Sequence, residues 1–329
     1  MALRGSQAGF VDALLHPGIG RRNEQLEAIE KLIDWSAVEV ALAGLRSNRM
    51  GAPPYPAMLM FRALLLQQWY GLSDPGLEDA LYDRMSFRRF VGLSGEEGAP
   101  DHSTLWRFRQ ALSESGTDRA TFDAVTAQLD QAGLIVRQGT LIDASLIKAQ
   151  SRPPAPPREG EAADPEASKL VRSEREPDAD WTRRGSARIF GYKLHVAVDQ
   201  GSGLVRRALL TPASINDTVP ADELIIGDEK AVFADKAYDS HARRARLKAM
   251  GVKNRICRRG NKHHAASPWS LKRDHAIAQV RGRVETVFAI LKRHYGCGRA
   301  RYLTLPRNRT GMLLACLAIN LRRGLVLTA

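Results

Sequence analysis

Cysteine is scarce in this chain, with Cys257, Cys297 and Cys316 the only three among 329 residues. They are scattered and form no Cys-x-x-Cys pair, which excludes a disulfide framework and leaves no redox or zinc signature. His263 and His264 lie near Cys257 in sequence, but no tetrahedral set with recognisable spacing includes them. Long apolar runs are missing too. The best, Met312 to Asn320, meets Arg322 and Arg323 before it could span a bilayer. The opening Met-Ala-Leu-Arg-Gly-Ser has no basic-then-apolar leader pattern. These absences lead us to expect a soluble protein of a reducing cytoplasm, without a membrane segment.

Negative charge is the scarcest feature of one region. From His241 to Arg309 there are nineteen Lys and Arg against two acids, Asp274 and Glu285. That stretch alone carries more positive charge than the net +13 of the whole chain, so the remainder is slightly acidic. Basicity concentrated in this way points to a nucleic-acid partner, although solubility also accounts for surplus lysine and arginine. With 44% hydrophobic residues, the chain can build a sizeable core, and its length suggests two domains.

The first part reads as helical. Apolar positions at Leu26, Ile29, Leu32, Ile33 and Val38 predict one helix over 23–45, stopped near Gly51 and Pro53-Pro54. Residues 56–70 are apolar nearly all round, as in a helix at the centre of a bundle. Ser73-Asp74-Pro75 starts a third helix through Leu81 and Met85, and 86–91 continue it. The helix over 100–112 has Asp101 or Ser103 as its cap, with Leu105, Phe108 and Leu112 turned inward. Thr104, Arg107, Arg109 and Gln110 are left for phosphates and base edges, as in a helix-turn-helix recognition element; an ordinary amphipathic helix fits the same pattern. A further helix covers 117–132, so an all-α DNA-binding domain is expected over 1–135.

At Gly139 the period changes. Thr140 to Ile147 reads as a strand with Asp143 among apolar and β-branched neighbours, where a carboxylate is costly unless a cation or hydrogen bonds compensate it. Residues 150–187, with six prolines and few large apolar side chains, read as a charged surface excursion without a catalytic role; within it Asp178, Asp180 and Trp181, followed by Arg183-Arg184, read as a solvated loop in preference to a DNA contact. Alternation at Leu194, Val196 and Val198 marks a second strand, with Lys193 and His195 on its other face, and Gly201-Ser-Gly203 turns it into a third over 204–211. Asp217 reads as a turn or cap residue. A fourth strand, 231–235, ends on Asp235; a helix over 240–250 and an extended stretch over 252–257 follow, then a basic loop from Arg258 to His264.

The last decisive element is a helix spanning Ala278 to Lys292. At 100° per residue, Arg281, Glu285 and Lys292 fall within about 40° of one another, beside an apolar stripe of Val280, Val284, Val287 and Leu291. Taken alone, Arg281 and Glu285 could be an ordinary i,i+4 pair. The order of elements from Thr140 is that of an α/β RNase H-like domain, expected over 136–329. In it the first and fourth strands are neighbours, so Asp143 and Asp235 converge and Glu285 approaches from a helix on the sheet. Three hard oxygen ligands suit Mg²⁺ or Mn²⁺, and a pair of such ions roughly 4 Å apart can stabilise the attacking and leaving oxygens of a phosphodiester displacement.

Leu141-Ile-Asp-Ala-Ser145, Phe190-Gly-Tyr-Lys-Leu-His195, Ala234-Asp-Lys-Ala-Tyr-Asp239 and the Arg281-x3-Glu285-x6-Lys292 signature together resemble the DDE transposases of bacterial insertion sequences, in the insertion-sequence-five group. The helical region around His102 to Arg109 is similar to that family as well. The resemblance implies Asp143, Asp235 and Glu285 as the catalytic and metal-binding triad with Mg²⁺, or Mn²⁺ in its place. It implies DNA contacts from Arg281, Lys292, Lys236, Tyr238, Lys193 and His195, and a homodimer or larger assembly on paired ends. Its partners would be duplex DNA carrying inverted terminal repeats and a target duplex. The family pattern has Tyr where this chain has Ala278. A catalytically silent DNA-binding descendant, or an RNase H-like nuclease without strand transfer, are the alternatives from other classes.

Overall fold

The computed structural model describes residues 23–45, 54–151, 175–258 and 267–329. The predicted leader-free N-terminus, the helix stop at Gly51, most of the excursion over 150–187 and the histidines of the basic loop lie outside the described residues. The chain divides into two compact units, one made of Met1–Leu134 with Leu313–Ala329, the other of Ile135–Met312. The units change over between Leu134 and Ile135, and the last seventeen residues belong with the first unit.

The first unit holds helices α1 (Glu24–Leu32), α2 (Trp35–Leu42), α3 (Ala57–Tyr70), α4 (Asp74–Asp83), α5 (Met85–Val91), α6 (His102–Ser115) and α7 (Thr117–Gln131). As its composition predicts, α3 is buried nearly all round, from Leu59 to Trp69. The single helix expected over 23–45 is instead two. Asp34 accepts from the Ser36 N–H and caps α2, while Gln128 takes both backbone groups of Asp34, at 2.8 and 3.0 Å. A capping side chain and a tertiary partner for the freed backbone together outweigh continuation of the helix. The helix from Ser73 also divides, at Arg84, whose backbone is extended and which offers no side-chain cap.

Among the described residues, six strands form the sheet of the second unit: β1 (Thr140–Lys148), β2 (Asp180–Arg184), β3 (Ala187–Asp199), β4 (Val205–Pro212), β5 (Ala231–Ala234) and β6 (Lys253–Ile256). The order is β2-β3-β1-β5-β6, with β4 also on β3. β3 is antiparallel to β1 and β4, while β1, β5 and β6 run parallel. This is the mixed sheet of an RNase H-like domain, with β1 and β5 adjacent as expected. On one face Ile142, Ala197, Val232 and Ala234 pack with Leu224 from α8 (Ala221–Leu224) and Leu247 from α9 (His241–Ala249). On the other face lie α10 (Pro268–Arg281) and α11 (Arg283–His294), in contact with β1. The expected helix 278–292 is therefore interrupted at Gly282, which ends one helix and begins the next.

The final helix, α12 (Leu305–Thr328), is long and apolar enough to cross a membrane by length and composition, but 67% of its most apolar window is buried inside the protein. Its second half contributes to the first unit's core, where Trp69 donates its indole N–H to the Ala318 carbonyl at 3.0 Å.

The described end of the excursion, residues 175–187, is tied into the fold rather than only solvated. Glu176 is fully buried and accepts from the Ser151 N–H and hydroxyl, the Gln150 N–H and the Tyr192 hydroxyl. Asp178 accepts from the Leu305 N–H, and Trp181 lies within β2, paired with Phe190. Its polar composition concealed this because hydrogen bonds, rather than apolar burial, fix it. Gly191, in the Phe190-to-His195 motif, has φ +155°, and a Cβ there would stand 2.0 Å from the Ile147 carbonyl oxygen. No side-chain rotation relieves a clash with backbone. Gly191→Ala is expected to cost about 3 kcal/mol or more, seen as lost soluble yield and a lowered thermal transition; an unchanged melting curve would contradict this packing.

Candidate active site

Asp143 sits mid-strand in β1, paired across the ladder with Val196. Since Ile142 points into the core on the α8–α9 face, alternation turns Asp143 to the face where α10 and α11 pack. Its two oxygens have different partners: Oδ1 accepts from the Ala144 N–H at 2.9 Å, and Oδ2 from Arg281 Nη1 at 2.6 Å. Arg281 ends α10, so the i,i+4 pairing with Glu285 gives way to an ion pair across the fold.

Asp235 follows β5 directly. The β1–β5 pairs are Thr140 with Val232 and Leu141 with Phe233; the same register carried two residues further sets Asp143 level with Asp235. Asp235 caps the short 3₁₀ turn Lys236–Tyr238, accepting from the Ala237 N–H at 2.7 Å. Glu285 is exposed in the first turn of α11, where the helix dipole favours a carboxylate. Of the stripe beside it, Val284, Val287 and Leu291 are buried, while Val280, on the preceding helix, is partly exposed.

These acids sense one another. Burial raises the Asp143 pKa above the usual carboxylate range, Arg281 opposes the rise, and the charges of Asp235 and Glu285 add to it. A carboxyl raised in the folded state contributes stability below its unfolded pKa, and that contribution is lost as pH rises through the folded value. Asp143→Asn, which never ionises, is therefore expected to melt no lower than wild type at neutral pH without metal, and the difference should shrink on acidification. A clear loss of stability at neutral pH would mean that the Arg281 ion pair dominates instead. Among the described residues, no three His, Cys, Asp or Glu side chains lie close enough together to hold a metal ion.

The expected DNA contacts separate into two groups. Lys236 and Arg107 are exposed, and Thr104, Arg281 and Lys292 are partly so. Burial, followed by the charge of Arg184, lowers the Lys292 pKa, so two cations share that edge of the unit. Arg109, His195 and Tyr238 point inward, which removes them as DNA contacts in this conformation. Arg109, only 2% exposed, is gripped by Asp74 and Gln67. Fully buried His195 meets the Thr211 hydroxyl at 2.9 Å, and burial pushes its pKa down to about 4. Tyr238 is 1% exposed and its pKa is raised, first by burial and then by Asp217, Asp143 and Asp235. Lys193 is turned to an internal task as well, pairing with Asp217 at 2.9 Å. Asp217, read from sequence as a turn residue, thus has a partner that its local pattern does not reveal. Ala278, in the place of the family tyrosine, is exposed on α10.

Two family models match the chain. The family model described as Transposase DDE domain matches residues 135–321, and the model described as Transposase domain (DUF772) matches residues 16–111. Among solved structures, the chain is similar to the cryo-EM structure of the piggyBac transposase synaptic complex with hairpin DNA, at 13% identity and a TM-score of 0.47, over 90% of this chain and 71% of that one.

Proposed function

The chain belongs to the DDE transposase family, and from that premise we propose that it binds the inverted terminal repeats of its own insertion sequence, hydrolyses a phosphodiester there and joins the exposed 3′-hydroxyl to target DNA. The observation that supports the reading is that Asp143, Asp235 and Glu285 lie within electrostatic reach of one another, so that the latter two disfavour ionisation of the first.

Asp143, Asp235 and Glu285 would hold Mg²⁺ or Mn²⁺. Their chemistry fits: all three are hard oxygen donors, and a cation, the Arg281 guanidinium, already stands on Asp143. When bound, the ions supply charge stabilisation for the attacking and leaving oxygens of the displacement. Since the acids are not gathered into a ready set, Arg281 has to release Asp143 and Glu285 has to move inward. Freed Arg281, with Lys236 and Lys292, then meets the phosphates flanking the reacting bond. Exposed Arg107 and nearby Thr104 on α6 serve end recognition in the helical unit. Backbone contacts of this kind make affinity fall as salt rises, because bound counterions are released. Two ends must be brought together for transposition, so a dimer or larger assembly is part of the proposal.

The test is cleavage and joining of a labelled duplex carrying the element's own end, with and without Mg²⁺. Metal-dependent nicking followed by appearance of the label in a second duplex is the expected result. Nicking that never leads to joining, across varied targets, would replace transposition with simple nuclease action; binding without either reaction would leave a DNA-binding protein.

A further inference from the structure

The turn that carries Asp235 is held from outside by a segment that no motif marks. The Ala237 N–H donates to Asp235 Oδ1, and the Ala237 carbonyl accepts from the Thr218 hydroxyl at 2.8 Å. The residue that grips the carboxylate is thus itself gripped. Arg243, 2% exposed, donates to the carbonyls of both Thr218 and Tyr238, binding the two segments together, and Asp222 balances its charge. At the other end of the segment, Lys193 Nζ donates to the Ile215 carbonyl at 2.8 Å and to Asp217 at 2.9 Å. Lys193 lies on β3, the direct neighbour of the strand bearing Asp143, opposite Leu146 in the ladder.

A continuous polar path therefore runs from the strand beside Asp143, through residues 215–218, to the turn holding Asp235. Something must set the spacing of those two acids, because the β1–β5 ladder ends at Leu141 and Phe233, short of both. A one-turn 3₁₀ helix is a weak support by itself.

We propose that residues 215–218 form a clamp that fixes Asp235 relative to Asp143 for divalent-cation capture, with Thr218 and Lys193 as positioning residues. This rests on the three-carboxylate reading above. It also gives Lys193 a task on the protein side of the site, in place of the DNA contact expected from its motif. Residues that orient a metal's ligands from behind typically change metal affinity about 10- to 100-fold when removed.

The test is Mn²⁺ binding by the full chain, followed by electron paramagnetic resonance, with thermal unfolding and duplex binding measured alongside. Thr218→Val, which keeps the shape and loses the donor, is expected to bind Mn²⁺ about 10-fold more weakly with its melting temperature and DNA affinity unchanged. Thr218→Ser, which keeps the donor, should bind as wild type does, and Lys193→Met should weaken Mn²⁺ binding in the same direction. Wild-type affinity in Thr218→Val, while Asp235→Asn loses the ion, would overturn the clamp alone. Equal weakening in Thr218→Val and Thr218→Ser together with lower melting temperatures would overturn it in favour of a purely structural role. If Asp235→Asn binds Mn²⁺ normally, the three-carboxylate reading falls and the clamp with it.

Discussion

Asp143→Asn and Glu285→Gln are each expected to lower metal-dependent cleavage of duplex DNA by about 10³-fold or more, because several kcal/mol of charge stabilisation disappear and each ~1.4 kcal/mol is tenfold in rate. DNA affinity should persist in both variants, since neither removes a cation. The two changes differ in what they do to the resting protein. Asp143 is partly buried and bound to Arg281, so its replacement also frees that guanidinium, whereas Glu285 is exposed and holds no ion pair among those described. A gel-shift titration beside a cleavage time course separates binding from chemistry. Loss of both together in Glu285→Gln would show that Glu285 supports DNA binding or folding rather than the reaction.

The second large effect lies in the helical unit. Arg109 Nη2 meets Asp74 Oδ1 at 2.6 Å, Nη1 meets Oδ2 at 3.1 Å, and Gln67 completes the network from α3. Asp74→Ala takes the Asp74 carboxylate away from the buried Arg109 guanidinium, and breaking such a pair from one side costs about 3–5 kcal/mol. For a unit of this size that lowers the thermal transition by about 10 °C. Arg107→Ala, on the same helix and exposed, should leave the transition unchanged and weaken duplex binding with a reduced salt slope. The opposite pattern, in which Asp74→Ala melts normally and Arg107→Ala does not, would invert the assignment of the two arginines.

Those neighbouring arginines illustrate where the sequence was legible. Periodicity placed Leu105 and Leu112 inside α6, and both are buried; it also placed Arg109 outside, because the partner that draws it inward is thirty-five residues away in sequence. Strand alternation located β1 and β3, and an aspartate among apolar neighbours drew attention to Asp143, since local composition alone makes such a carboxylate costly. The neighbouring of β1 and β5 followed from element order, which is a topological rule rather than a local one.

Breaks were harder to read than elements. Gly282 divides the expected helix of 278–292 while its own backbone stays helical, φ −51° and ψ −21°, so no turn signature beyond the glycine marks it. Asp34 ends α1 through a cap and a distant glutamine, and only the cap is written locally. The inward positions of Lys193 and His195 were hidden by their motif: a conspicuous segment invites a surface role, yet Thr211, Ile215 and Asp217 take up both side chains. The packing of the excursion's described end was hidden for a different reason, its anchor being one buried carboxylate, Glu176, rather than an apolar stripe.

The most direct test of the account is to replace the divalent cation by Fe²⁺ in the full chain with its duplex, generate hydroxyl radicals at the bound iron, and map the backbone breaks. Breaks clustered around Asp143, Asp235 and Glu285, competed away by Mg²⁺ and absent in Asp143→Asn, are the predicted result. Breaks elsewhere, or a pattern that Asp143→Asn leaves intact, would contradict a metal centre built from these three carboxylates.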